Sequence, residues 1–218
     1  KLNKFRRQFS SKSVSFVREG RAAGRTQVQI QFSHSQQPRD SSGRFKKGES
    51  ESGERKFSST QFNIEDGDYS RSQGSPLQKI KDMASKIAKS DLAEGGTEDE
   101  LHVTAKYGLH CTKCDEVRNA VTEFGIVDVT LGRTSFFECD DYDVVKIDVY
   151  GPKLHQLNRL ISRSVECTDT HPEYKPHVTL AYVKKGLGKK YAGDDSVDGM
   201  SLYFNELLFS SKDRSKTE

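Results

Sequence analysis

Two segments of the chain carry the same triplet, in which a valine separates a histidine from a threonine. The first triplet holds His102 and Thr104, and the second holds His177 and Thr179. Because side chains alternate between the two faces of a strand, the histidine and threonine of each triplet share a face and lie about 7 Å apart. If the two strands lie side by side, two imidazoles and two hydroxyls line one cleft.

Such a set of groups suits in-line attack on a phosphodiester. A neutral imidazole accepts the proton of the attacking hydroxyl, and a protonated imidazole donates a proton to the leaving oxygen. Histidine suits both tasks because its pKa lies near neutrality. Threonine hydroxyls can donate to the non-bridging oxygens, where the transition state gathers charge. The sequence therefore predicts a catalytic set of His102, Thr104, His177 and Thr179 that uses no metal and no other cofactor.

A single His-x-Thr triplet in a strand is common and by itself indicates ordinary packing. The two copies in this chain lie 75 residues apart and also share their flanks, since the segments LHVTAKY and PHVTLAY agree at His, Val, Thr and Tyr. Chance is the less favoured explanation for this agreement. The pair of triplets therefore predicts one site in a body that contains a crude internal duplication.

Three further residues are predicted to bind the substrate. Lys106 follows His102 on the same face of a regular strand and would add positive charge, although Ala181 holds the corresponding place in the second strand. The chain has no Trp, so Tyr174 and Tyr191, in the loops that flank the second triplet, are the residues predicted to stack on the substrate.

The apolar patterns predict an α+β body over residues 57–212. Ser75-Pro76 indicates the start of a helix, and the apolar spacing predicts that this helix continues past Leu92 until Gly95-Gly96 ends it. The other predicted helices are 112–124 and 152–165, and the predicted strands are 57–64, 100–107, 126–131, 135–138, 144–150, 177–183 and 202–209.

The charge of the chain is unevenly distributed. Residues 1–60 hold 14 Lys and Arg against 5 Asp and Glu, whereas the remainder holds 21 against 27. Residues 1–56 are therefore a predicted basic, low-complexity tail that is disordered and either binds nucleic acid or serves only as a linker. Gln27–Phe32 alternates like a strand within it, and residues 213–218 are also predicted to be disordered. No stretch has the 18 or so consecutive apolar residues of a membrane span, so no membrane contact is predicted.

The four cysteines give no clear metal or redox pattern. Cys111 and Cys114 form a C-x-x-C pair, whereas Cys139 and Cys167 are isolated. A zinc site would need a second close pair, and a thioredoxin-like site would need the pair at a strand-to-helix junction. We expect ordinary reduced thiols of a cytosolic protein, with a metal site at Cys111 and Cys114 as the less favoured alternative.

The paired triplets resemble the 2H phosphoesterase superfamily, whose signature is two H-x-[ST] strands that face each other across a pseudo-twofold cleft. The resemblance covers about residues 57–212. It implies a bilobal fold of two pseudo-symmetric antiparallel-sheet lobes with helices outside and a central cleft. The stretches LHVTAKYGLH and DTHPEYKPHVTLAYVKKG are most similar to the phage anti-CBASS nucleases, which degrade the cyclic di- and oligonucleotides that bacteria use as antiphage signals.

This resemblance implies cleavage of a 3′–5′ linkage by the adjacent ribose 2′-hydroxyl, in the cytoplasm of a bacterial host. The segment QPRDSSGRFKKGE is similar to linkers of phage head proteins, which would attach the domain to a virion and give the basic tail phage head contacts. Two alternatives stay open. One is an RNA 2′,3′-cyclic phosphodiesterase of the LigT-like kind, and the other is a catalytically idle domain of a phage structural protein whose basic tail binds nucleic acid.

Overall fold

The structure, a computed structural model, describes residues 56–65 and 75–212, and the backbone of three short strands at 8–10, 13–15 and 29–32. The predictions for the rest of the tail and for residues 213–218 lie outside the described residues. The described part is a mixed α+β protein, as the apolar patterns predict. None of its helices is long and apolar enough to cross a membrane.

The described part of the chain has three α-helices, each set between groups of strands. The helices are α1 (Pro76–Ser85), α2 (Asp115–Val121) and α3 (Pro152–Ser164). The strands are β1 (Gln8–Ser10), β2 (Ser13–Ser15), β3 (Gln29–Phe32), β4 (Ser58–Asn63), β5 (Leu92–Thr97), β6 (His102–Leu109), β7 (Val127–Glu138), β8 (Tyr142–Tyr150), β9 (His177–Lys184), β10 (Ser201–Phe204) and β11 (Glu206–Ser210).

Helix α1 begins where the sequence predicts. The Ser75 hydroxyl accepts a hydrogen bond from the Gln78 N–H, and proline occupies the first helical position. The prediction that this helix continues past Leu92 is wrong, because the chain pairs there with β9 as strand β5. Gly95 does not end a helix but allows a close approach, since a Cβ atom at this position would lie 2.7 Å from the Tyr182 ring.

Nine of the described strands form one sheet in the order β10-β7-β8-β9-β6-β4-β11-β3, with β5 paired to the end of β9. Neighbouring strands are antiparallel except for β11 and β3. The order is symmetric about the contact between β9 and β6, because β8 corresponds to β4 and β7 corresponds to β11. Helix α1 precedes β6 and helix α3 precedes β9, so the internal duplication predicted from the sequence recurs in the topology.

The last four residues of the predicted strand at Gln27–Phe32 also lie in this sheet. Their backbone forms β3 over Gln29–Phe32 and runs parallel to β11 at the edge of the sheet. The described part of this segment is therefore an edge strand of the sheet.

One face of the central strands forms the hydrophobic core. Val103 and Val178, the middle residues of the two triplets, are 0% exposed, and Ile147 and Leu180 are equally buried beside them. Helix α3 packs on β6 and helix α1 packs on β9. The alternation of side chains therefore turns the histidines and threonines of both triplets to the face opposite the core.

Candidate active site

The two triplets meet at one point of the sheet. Strands β6 and β9 pair in antiparallel register through Val103 and Val178. Continuing this register by one residue on each side sets His102 opposite Thr179 and Thr104 opposite His177. The register therefore brings the four predicted catalytic residues together on one face. All four side chains are half-buried.

Both imidazoles are held by the same contact. The Nδ1 atom of His102 lies 2.7 Å from the Glu100 carbonyl oxygen, and the Nδ1 atom of His177 lies 2.7 Å from the Lys175 carbonyl oxygen. A carbonyl oxygen can only accept a hydrogen bond, so Nδ1 carries the hydrogen in each ring. Nε2 is therefore the atom at which each neutral ring can take up a further proton.

Strand β6 contains a bulge directly after its triplet. Thr104 pairs with Gln61, but the next pair along the strands is Lys106 with Thr60, so Ala105 is an extra residue. The carbonyl oxygen of Ala105 accepts a hydrogen bond of 2.7 Å from the Asn158 amide. Because a bulge breaks the regular alternation of side chains, residues beyond Ala105 change faces.

Strand β9 repeats this bulge at the equivalent position. Thr179 pairs with Lys146 and Ala181 pairs with Val145, which leaves Leu180 as the extra residue. The Leu180 carbonyl accepts a hydrogen bond from the Glu98 N–H. The two halves of the sheet therefore share this bulge. In each half, the bulge interrupts the alternation of side chains directly after the His-x-Thr triplet.

The bulge changes the position predicted for Lys106. The expectation that Lys106 shares the face of His102 is wrong, because the regular pleat on which it depended ends at Ala105. Lys106 pairs instead with Thr60, which lies on the core side of β4, and its side chain is 3% exposed. Its ammonium group forms a 2.5 Å ion pair with Asp169.

The cation beside the triplets comes from β8. Lys146 pairs with Thr179 in the register, is 4% exposed, and donates a 2.6 Å hydrogen bond to the Ser135 hydroxyl. Its ammonium group also contacts the carboxylate of Asp148, which pairs with His177. Neither residue is among those that the sequence predicts for the site. The available signal was their spacing of two in the otherwise apolar stretch 144–150, which places them on one face.

The corresponding positions of β4 carry amides instead of charges. Gln61 pairs with Thr104 and Asn63 pairs with His102. The Gln61 amide donates to Asn63 over 2.9 Å, and the Asn63 amide donates to the Glu100 carboxylate over 2.9 Å. The two halves of the site therefore share a backbone pattern but differ in charge.

The environment of His177 favours its neutral form. Burial, together with the positive charges of Lys146 and His102, lowers the pKa of His177 to about 4. The Lys175 carbonyl and the Asp148 carboxylate act in the opposite direction without offsetting these effects. His177 is thus neutral at pH 7, with its Nε2 lone pair able to accept a proton.

The low pKa of His177 predicts a loss of stability in acid. The unfolded chain takes up this proton near pH 6.5, whereas the folded chain does so only near pH 4. The contribution is therefore fully present above about pH 6.5 and is lost as the pH falls to about 4. Urea unfolding at pH 7 and pH 4 measures this loss as a difference in the free energy of unfolding. Between these two pH values His177→Gln should lose less of this free energy than the wild type, by at most about 3 kcal/mol. An equal loss in variant and wild type would contradict the buried, neutral ring.

Tyr174 supports the site rather than lining it. Its hydroxyl donates a 2.8 Å hydrogen bond to the Thr104 carbonyl oxygen, and its ring contacts His155 edge-on at 5.3 Å. Burial raises the pKa of the Tyr174 hydroxyl, so the phenol stays protonated as a donor. The structure thus places Tyr174 against the backbone of the first triplet.

Tyr191 lies in a different part of the molecule. Its hydroxyl donates a 2.7 Å hydrogen bond to Asp91 and accepts one of 3.2 Å from the Ala88 N–H. Its ring lines a pocket with Ile87 and Leu180, on the side of helix α1. None of the four triplet residues lines this pocket, so the structure does not bring Tyr191 to the predicted catalytic set.

Phe137 of β7 places an aromatic ring against His177. Its ring centroid lies 5.1 Å from that of His177, with the two planes at 87°. The ammonium group of Lys146 lies 4.3 Å from the centroid of the Phe137 ring. Sequence analysis missed Phe137 because its position beside His177 depends on the pairing of β7 with β8 and of β8 with β9.

The C-x-x-C pair lies at the start of helix α2. Cys111 and Cys114 are not joined by a disulfide. Burial raises the pKa of both thiols, and Arg118 contacts the Cys114 sulfur at 2.8 Å. Among the residues that the structure describes, no group of three or more His, Cys, Asp or Glu is placed to hold a metal ion.

A comparison of the chain with protein-family models and with curated proteins finds no match in either. The case for a function therefore depends on the chemistry of the two triplets and their neighbours. Two imidazoles in one tautomer, two hydroxyls and a buried ammonium group form a set that can transfer protons and hold negative charge.

Proposed function

We propose that the chain is a metal-independent phosphodiesterase that opens the 3′–5′ linkages of cyclic di- and oligonucleotides. The observation that carries the proposal is the antiparallel register at Val103 and Val178, which sets each histidine opposite the threonine of the other triplet. Two proton-transfer groups on one face are what in-line displacement at phosphorus needs, one for the entering oxygen and one for the leaving oxygen.

His177 acts as the general base in this proposal. Its pKa of about 4 keeps it neutral, so Nε2 takes the proton of the ribose 2′-hydroxyl while the 2′-oxygen bonds to phosphorus. A base with a pKa well below the working pH is weak. The negative charge of the bound phosphodiester raises the pKa of His177 and so strengthens it as a base.

His102 acts as the general acid. On the β4 side, Asn63 pairs with His102 and donates to the Glu100 carboxylate, whereas in the other half Lys146 places a positive charge next to His177. As the bond between phosphorus and the 5′-oxygen breaks, Nε2 of His102 gives its proton to that oxygen. The products are a free 5′-hydroxyl and a 2′,3′-cyclic phosphate.

The charge that develops on the phosphoryl oxygens needs its own partners. Thr104 and Thr179 can donate from the two triplets, and Lys146 adds a full positive charge beside Thr179. Because the ammonium group is already held by Ser135 and Asp148, it needs little reorganisation during the reaction.

The finer fold proposal is the bilobal arrangement of the 2H phosphoesterase superfamily. The strand order, symmetric about β9 and β6, supports it, as do the equivalent bulges at Ala105 and Leu180. The resemblance of the triplet flanks to phage anti-CBASS nucleases supports cyclic oligonucleotide signals as the substrate and counter-defence as the role.

A substrate panel tests this proposal against the alternative within the same superfamily. The full chain should open 3′,3′-cGAMP and should act less on an RNA that ends in a 2′,3′-cyclic phosphate. Chromatography of the products measures both reactions. Ready opening of the RNA end without loss of any cyclic dinucleotide would assign the RNA-end function instead. Inactivity on both would support an idle domain.

Chelation provides a second test. In the proposed mechanism, side chains of the protein supply both proton transfers and the positive charge. We therefore expect millimolar EDTA to leave the turnover of 3′,3′-cGAMP within about twofold of the untreated rate. Strong inhibition that added zinc reverses would contradict this expectation and point to Cys111 and Cys114.

A further inference from the structure

Phe137 places an aromatic surface next to the proposed general base. Strand β7 pairs with β8 so that Phe137 shares the face of Ser135 and Lys146. The Phe137 ring is half-buried, contacts His177 edge-to-face, and has the Lys146 ammonium group 4.3 Å from its centroid. Because these contacts already hold the ring in place, little side-chain entropy is lost when a planar group stacks on it.

Among the described residues, the strand that takes the place of β7 in the other half of the site has no ring at the equivalent position. Strand β11 corresponds to β7 there, and the residue in the place of Phe137 is Ser210. The correspondence follows from the register. Phe137 pairs with Val144, which lies two residues before Lys146 in β8. Ser210 pairs with Ser59, which lies two residues before Gln61 in β4. Of the described strands β7 and β11, β7 therefore carries a ring at this position and β11 does not. The ring lies on the His177 side of the site.

We propose that Phe137 stacks on the base of the nucleotide that supplies the attacking 2′-hydroxyl, so that the site selects this nucleotide and tolerates variation in the leaving one. The inference rests on the proposed function and on His177 as its base. His177 must reach the 2′-hydroxyl, and the base attached to the same ribose then lies on the Phe137 side. A purine offers a larger stacking surface than a pyrimidine, so purines are favoured at this position.

A cyclic dinucleotide with two different bases tests the inference within one molecule. In 3′,3′-cyclic UMP–AMP the two linkages are chemically alike and differ in which ribose provides the 2′-hydroxyl. Opening next to adenosine leaves an adenosine 2′,3′-cyclic phosphate, and opening at the other linkage leaves the uridine form. We expect the adenosine product in roughly fivefold excess or more, from the strength of aromatic stacking on bases. Mass-spectrometric fragmentation distinguishes the two products.

Variants connect this product ratio to Phe137. Phe137→Leu should bring the ratio close to one, whereas Phe137→Tyr should keep the excess of adenosine product. Tyr203→Ala, which removes an aromatic ring that is 68% exposed on β10, is the matched control and should keep the wild-type ratio. Because the ratio compares two reactions of the same enzyme molecules, it does not depend on how much of a variant folds.

The outcomes separate the two proposals. Equal products from the wild type, or an undiminished adenosine excess in Phe137→Leu, would overturn the inference while leaving the phosphodiesterase function intact. Failure of the wild type to open this substrate and every other cyclic dinucleotide would overturn the proposed function, and the inference with it.

Discussion

Replacing His102 or His177 with alanine should lower kcat for the opening of 3′,3′-cGAMP at least about a hundredfold, because each change removes a proton transfer worth roughly 10²–10⁴ in rate. Both rings lie half-buried on the face opposite the core, so the variants should fold. His171→Ala, which removes an exposed histidine from the loop before the second triplet, is the control and should retain wild-type turnover. Unchanged turnover in both triplet variants would rule out the proposed site.

The leaving group distinguishes the acid from the base. Uridine 3′-(4-nitrophenyl phosphate) releases 4-nitrophenolate, which departs without a proton. On this substrate His102→Ala should come within about tenfold of the wild-type rate, whereas His177→Ala should stay at least about a hundredfold impaired. The release of nitrophenolate is measured directly by absorbance. The reverse pattern would exchange the roles of the two histidines.

The local part of the site could be predicted from the sequence. A histidine and a threonine two residues apart in a strand must share a face, and the repeat of that pattern at His177 indicated a partner. Which strands lie beside the triplets is decided by the packing of the whole sheet. Lys146 and Phe137 reach His177 only because β7, β8 and β9 are neighbours. A local sequence pattern does not predict the order of the strands in a sheet.

The errors have the same origin. Ala105 looks like an ordinary strand residue, and only its unpaired position in the ladder shows that it is a bulge. Lys106 was assigned to the wrong face for that reason. Gly95-Gly96 has the form of a helix stop, but pairing with β9 and the close contact with the Tyr182 ring determine the conformation there. In both places tertiary contacts override a valid local tendency.

A duplicated sheet creates a chemical difficulty for a two-histidine mechanism. Symmetry supplies two equivalent imidazoles, but the reaction needs one neutral and one protonated. The backbone contacts at Nδ1 are the same in both halves, at 2.7 Å, so they cannot distinguish the rings. The difference arises one strand further out, where Lys146 and Asp148 occupy the positions that Gln61 and Asn63 hold in the other half.

Lys146→Met should therefore affect both the rate and its pH dependence. Loss of the ammonium group removes the charge that the proposed mechanism places beside the phosphoryl oxygens, and we expect kcat/KM for 3′,3′-cGAMP to fall about a hundredfold or more. The acidic limb of the pH profile of kcat/KM should also move to higher pH. Lys146 holds the pKa of His177 down, and its removal leaves the Asp148 carboxylate to raise that pKa.

Two further variants separate the charge of Lys146 from its shape. Lys146→Arg keeps the positive charge and should leave the acidic limb close to its wild-type position. The double variant Lys146→Met with Asp148→Asn removes both charges, so its limb should return part of the way to lower pH while its rate stays low. Lys153→Met breaks an exposed ion pair with Asp128 and should change neither quantity, because such pairs contribute little.

The direction of the pH shift decides whether Lys146 acts on His177. A general base with a raised pKa is protonated earlier as the pH falls, so the midpoint of the acidic limb must rise in Lys146→Met if His177 is the base. A fall in that midpoint would mean that the limb reports another group, and an unchanged rate would mean that the ammonium group does not contact the substrate. A purely structural Lys146 would lower the amount of folded enzyme and leave the midpoint where it was.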